Sequence, residues 1–274
     1  FNIMNDSLRL DYAVYGGDYL SNNASTTLET CAEQLGDLVS EINGTSLPSF
    51  MLRGNHDSNP FNKALPLTDR SFYEQTNALI NKGEDFVPYI DSNGKPGNAG
   101  YVDLNDSKLR LIFVNTTDVG DTGNGFGITE DQSVWFATEA LNFMDKSDRG
   151  EWAVLLFAHN YFTATSFSDV SVSPKLHAVL TAFADGAPSA YFDYSDQGAM
   201  EVVGALVGHW HEDRDDLIDG VRIICTKAAS LNDLEDKTPG TADETAYDIV
   251  TVDRESRKIY LTRFGYGDDR VFTY

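Results

Sequence analysis

Short apolar, β-branched or aromatic runs recur along the chain at Leu10 to Tyr15, Phe50 to Leu52, Leu109 to Val114, Ala153 to Phe157, Val202 to Val207, Val221 to Cys225, Ile249 to Val252 and Ile259 to Phe264. Each is bounded by polar or glycine-containing residues, which predicts buried strands. Between them, Leu28, Cys31, Leu35, Leu38, Val39 and Ile42 recur at spacings of three and four, which predicts a helix with one apolar face that ends near Gly44. A second helix is expected from Thr129 to Met144, where Thr129 can cap and Gln132 stands three residues on. Strands alternating with helices predict an α/β architecture. The C-terminal segment reads differently: Tyr247 to Asp253 and Lys258 to Phe264 are strand patterns around Arg254-Glu255-Ser256-Arg257, a hairpin. A purely doubly wound sheet does not end this way, so a β-sandwich core with helices outside is expected. Two long stretches, Ser58 to Gly100 and Phe162 to Gly198, lack a sustained period and read as polar insertions that shape a rim.

Composition bounds what such a chain can do. Its 274 residues can bury one sizeable core and are read as a single domain. Lys and Arg total 20 against 43 Asp and Glu, a formal charge of −23, which repels nucleic acid duplexes and anionic membranes. The same field repels phosphate esters, so a phosphate-processing site would need cations at its centre. No apolar run reaches the ~18 residues of a membrane span. Cys31 and Cys225 form no C-x-x-C pair, so no disulfide framework is expected and both read as small buried apolar residues. Nothing here fixes the oligomeric state, and the acidic composition suits a secreted enzyme as well as a cytoplasmic one.

Candidate chemistry concentrates in four segments: Gly16-Gly17-Asp18, Gly54-Asn55-His56-Asp57, Ala158-His159-Asn160 and Gly208-His209-Trp210-His211. Each follows an expected strand, where α/β sheets bind ligands. The Asp18 carboxylate can bridge two divalent cations, and the Asn55 amide oxygen suits a hard metal. His56 beside Asp57 reads as an imidazole kept protonated, as a phosphate contact or general acid. If Gly208 to His211 is extended, His209 and His211 point to one face and can address one cluster. These segments hold four of the five histidines; His177 has no donor neighbours in sequence and reads as surface or packing. Among aromatic residues of the insertions and the His159 segment, Phe61, Tyr73, Tyr161 and Phe162 could stack a base or pack a loop.

In order and composition these segments resemble the calcineurin-like metallophosphoesterase superfamily, whose pattern runs D-x-H, G-D, G-N-H-[DE], H, G-H-x-H. Gly127-Ile128-Thr129-Glu130-Asp131-Gln132 and the ending Arg263-Phe264-Gly265-Tyr266-Gly267-Asp268-Asp269-Arg270 are similar to its cyclic-nucleotide phosphodiesterase-like branch. The resemblance implies a four-layer α/β/β/α sandwich and a dinuclear centre of Mn, Fe, Zn or Mg that activates a water against a small phosphodiester or phosphomonoester. By it, Asp18 bridges both ions, Asn55, His159 and His209 complete one, His211 binds the other, and His56, oriented by Asp57, contacts the phosphoryl group. The family's opening D-x-H is absent, which implies that a first strand with two further ligands lies upstream of Phe1. Two other readings stay open on these residues: a degenerate relative that binds a ligand or partner without turnover, and a metal-dependent hydrolase of another ester class.

Overall fold

The computed structural model describes residues 8–62, 64–118, 125–167, 172–229 and 237–274. In chain order the elements are β1 (Ala13–Tyr15), α1 (Leu28–Asn43), β2 (Ser49–Met51), α2 (Asp69–Gln75), β3 (Phe86–Ile90), β4 (Pro96–Leu104), β5 (Leu109–Val114), α3 (Glu130–Trp135), β6 (Ala153–Ala158), α4 (Pro174–Asp185), β7 (Glu201–Val207), β8 (Arg214–Ile218), β9 (Val221–Cys225), β10 (Ala246–Asp253), β11 (Lys258–Gly265) and β12 (Arg270–Thr273). The result is a mixed α/β architecture built on a seven-stranded mixed sheet, order β3-β4-β5-β6-β7-β9-β8, with few helices. Its centre, β5 to β7 and β9, is parallel, and its edges are antiparallel. Every residue of β5 and β6 is buried, as a parallel strand covered on both faces requires.

Two apolar clusters occupy the two faces of this sheet. On one, Ile112, Val114, Leu156 and Val207 pack with Trp135 and Phe136 around α3 and with Leu176, Val179 and Leu180 of α4. On the other, Leu111, Phe113 and Leu155 pack with Phe50 and Leu52 and with Ile259 and Leu261 of β11. The parallel pair β1–β2 and the antiparallel sheet β10-β11-β12 therefore cover that second face. Helix α1 lies over β1–β2, burying Val39 and Ile42 against Met51 and Cys31 and Leu35 against Phe72. Thr27 caps it, accepting from the Thr30 N–H, and Gly44 ends it.

Both polar stretches read as rim insertions without a sustained period contain regular elements. Residues 58–100 contribute α2, β3 and the start of β4, and residues 162–198 contain α4. Pro88 and two glycines obscure the strand pattern. Proline is tolerated because β3 is an edge. Gly100 and Gly97 are needed because a Cβ would meet the Phe86 ring at 2.4 Å and the Tyr89 ring at 2.9 Å. The second helix is also shorter than its pattern: Thr129 does cap it, but after Trp135 it relaxes into a π turn over Phe136–Ala140. Buried Arg110 then donates to the carbonyls of Glu139, Ala140 and Asn142, satisfying a helix end that would otherwise have to continue.

Cys31 and Cys225 are both buried and free. No helix among the described residues is long and apolar enough to cross a membrane. His177, read as surface or packing, is buried on α4 and joins two elements: the Tyr161 hydroxyl lies 3.0 Å from Nδ1 and the Asp219 carboxylate 3.0 Å from Nε2. Tyr161 follows the His159 segment and is itself 1% exposed. Removing the imidazole strands a buried hydroxyl, so His177→Ala is expected to lower stability by about 1–3 kcal/mol in urea unfolding. Adding Tyr161→Phe should then cost less than it does in the wild type.

Candidate metal centre

Each chemical segment leaves the carboxyl end of a strand: Asp18 follows β1, Asn55 follows β2, His159 follows β6 and His209 follows β7. Although β1 and β2 lie in one sheet and β6 and β7 in the other, their ends meet. Donor atoms of Asp18, His159 and His209 all lie within 4.8 Å of one another. The Asn55 amide oxygen is 3.1 Å and an Asp18 carboxylate oxygen 3.3 Å from His159 Nε2. His159 Nδ1 is turned away and donates to the Gly16 carbonyl at 2.8 Å, which fixes the ring and leaves Nε2 facing the cluster.

Backbone strain is concentrated here. Asp18 has φ +62° and His209 φ +68°, left-handed conformations that cost non-glycine residues about 1–2 kcal/mol each. Asp57 helps hold the first of them. Its buried carboxylate accepts the backbone N–H groups of Asp18, Tyr19, Leu20 and Gly54, at 2.8–3.3 Å, clamping the β1 loop to the β2 loop. Both oxygens are thereby occupied, and no hydrogen bond joins them to the His56 ring. Asp57, expected to orient His56, instead shows hydrogen bonds that lock the loop carrying Asp18 to the loop carrying Asn55. The backbone N–H of His56, in turn, donates to Asp18 Oδ1 at 2.8 Å.

Electrostatics within the cluster are set by burial and by proximity. Burial opposes the charge of Asp18, but His159 beside it outweighs that and holds the carboxyl well below its usual range. Burial likewise opposes a charged His159, while Asp18 raises its pKa. His209 moves the other way, pushed down to about 4 by burial and by His159. Burial and the Asp18 charge push Asp57 up to about 6. A neutral imidazole is what a cation needs, and the buried Nδ1 of His209 has no hydrogen-bond partner among the described residues. One carboxylate, one amide oxygen and two imidazoles therefore form a donor set that fits one divalent transition metal ion.

His211 does not join this set. The segment after β7 is not extended, since His209 and His211 both have positive φ, and the strand alternation that would align them does not apply. His211 is exposed, near enough for its charge to be felt at His209. Sequence reasoning missed Arg53, which is fully buried and donates to the carbonyls of Leu67 and Thr117, fixing the strand end from which Gly54 departs. Missed too was Thr116, whose hydroxyl receives the Asn160 N–H at 3.1 Å. Neither carries a motif; only the contacts reveal them. A separate cavity of about 230 Å3, lined by Asp69, Asp91, Asp118 and Asp131 together with Arg70, shares no residue with the cluster. No protein-family model matches the chain, and no curated protein sequence matches it.

Proposed function

We propose that this chain is a metal-dependent phosphoester hydrolase, built as a four-layer α/β/β/α sandwich with its reaction centre where the two sheets meet. The observation that carries the reading is the convergence of Asp18, Asn55, His159 and His209 from four strand ends. The packing of α1 on β1–β2, and of α3 and α4 on the far face of the large sheet, supports the layer order. The acidic chain repels a phosphoester except where a cation reverses the local potential, and this is the place. A divalent ion held there would polarise the ester and lower the pKa of a bound water.

The chain's own residues supply the rest. His159, locked through Nδ1, and Asp18, locked through its backbone, keep the donor geometry without reorganisation. His56 is half-buried and near enough for its charge to be felt at Asp18 and His209, so it can donate to a phosphoryl oxygen or protonate the leaving oxygen. The family resemblance implies a second ion on His211. With His211 exposed and outside the cluster, we propose one tightly held ion and one weak one. Metal analysis after exhaustive dialysis should then retain one equivalent of manganese per chain.

The deciding test is manganese-dependent hydrolysis of bis(p-nitrophenyl) phosphate and p-nitrophenyl phosphate, with p-nitrophenyl acetate as the carboxylic ester. Release from a phosphate ester that needs metal and falls about 100-fold or more in His56→Ala is expected. Asn55→Ala should lower metal affinity and turnover together. A folded, manganese-loaded protein that releases nothing from either phosphate would favour a binding-only role, and faster release from the acetate would move it to another ester class.

A further inference from the structure

We infer that the site takes a phosphoester whose ester group on the His56 side carries a planar ring, and that Phe61 is the surface on which this ring stacks; the inference rests on the phosphoester reading above. The structure separates the four aromatic candidates by burial. Tyr161 and Phe162 are 1% and 0% exposed and belong to the core, and Tyr73 lies on α2 beneath the Arg70 guanidinium. Phe61 alone among them is presented to solvent, at 50% exposure, with its ring centroid 5.5 Å from that of His56.

Its presentation is rigid. Asn59, at φ +55°, donates through its side-chain amide to the carbonyls of Thr26 and Leu65, and Asn62 donates to the same Thr26 carbonyl at 2.9 Å. The backbone is thus pinned on both sides of a large apolar side chain that the fold leaves half in water. A surface fixed before binding loses little entropy when a ring docks. The 44° tilt against His56 covers only part of the Phe61 ring. Across the cluster, Phe126 and Trp210 meet His209 edge-on at 4.9 Å and 6.0 Å and are both half-buried, so of these three rings Phe61 is the most exposed. A ring one ester bond from a phosphorus bound near His56 falls within reach of it.

The test is calorimetric and needs no turnover. Manganese-loaded protein should bind phenylphosphonate about tenfold more tightly than methylphosphonate, because base-on-aromatic stacking is of that size. Phe61→Ala should abolish the preference while leaving methylphosphonate and manganese affinities unchanged, and Phe61→Trp should restore it. Equal binding of the two phosphonates by the wild type, or a preference that survives Phe61→Ala, overturns the inference alone. Failure of the loaded protein to bind either phosphonate overturns both this inference and the phosphoester reading.

Discussion

Asp18→Asn is expected to lower manganese affinity by more than about 100-fold, since residues merely supporting a ligand already cost about 10–100-fold when replaced. Metal-dependent turnover should fall at least as far. The substitution is informative because it leaves the fold alone. Asparagine matches aspartate in shape and is among the residues that tolerate the left-handed φ of +62° found there. It also retains an oxygen for the His56 N–H. What it removes is the charge beside His159, whose pKa that charge raises against burial. In the metal-free variant the His159 imidazole should therefore titrate lower by NMR than in the wild type. The same linkage gives the pH dependence. A metal ligand must be deprotonated, so in the wild type manganese affinity should weaken as pH falls through the raised His159 pKa. Asp18→Asn binding metal as well as the wild type would remove this cluster as the metal centre.

The second large effect is expected from Gly54→Ala. A Cβ at Gly54 would lie 2.2 Å from Asp18 Oδ1 and 2.4 Å from the Asp18 nitrogen; the nitrogen is held by Asp57 and Oδ1 by the His56 N–H, so neither swings aside freely. Either loop must move, which should cost about 1–3 kcal/mol of stability and break the donor geometry as well. Gly16→Ala is the control, because a Cβ there meets nothing within 4 Å. Thermal unfolding with and without manganese separates the two: Gly54→Ala should lose both stability and the metal-induced rise in Tm, whereas Gly16→Ala should keep both. Equal behaviour of the two variants would show that the approach of Gly54 to Asp18 is not what shapes the site.

The seven-stranded sheet, with helices on one face and a second β layer on the other, was readable in its centre and obscure at its edges, for one physical reason. Central strands such as β5 and β6 are buried on both faces and must be continuously apolar, so Leu109 to Val114 and Ala153 to Ala158 announce themselves. Edge strands escape that demand. β8 reads Arg214-Asp215-Asp216-Leu217-Ile218, and its charges suit an edge that must not pair further. β3 carries Pro88, and β12 alternates too briefly to stand out. The α1 pattern was legible because Cys31, Leu35, Val39 and Ile42 all face one core, whereas the length of α3 depends on Arg110, twenty residues before its start.

The sequence by itself determined which residues carry donor chemistry, because amide, imidazole and carboxylate groups beside glycines at strand ends are written in four short segments. Donor chemistry alone could not determine which of them meet, although the family resemblance implied the grouping. Only the packing of one sheet on the other brings Asp18 and Asn55 to His159 and His209. Only the backbone shows that the segment after β7 is not extended, with positive φ at both His209 and His211, so strand alternation does not align the two rings. The part played by Asp57 was decided in the same way: next to His56 in sequence, it spends its oxygens on four backbone N–H groups that tertiary contact delivers. Sequence neighbours share a peptide bond, but a buried carboxylate goes to the donors that would otherwise be stranded.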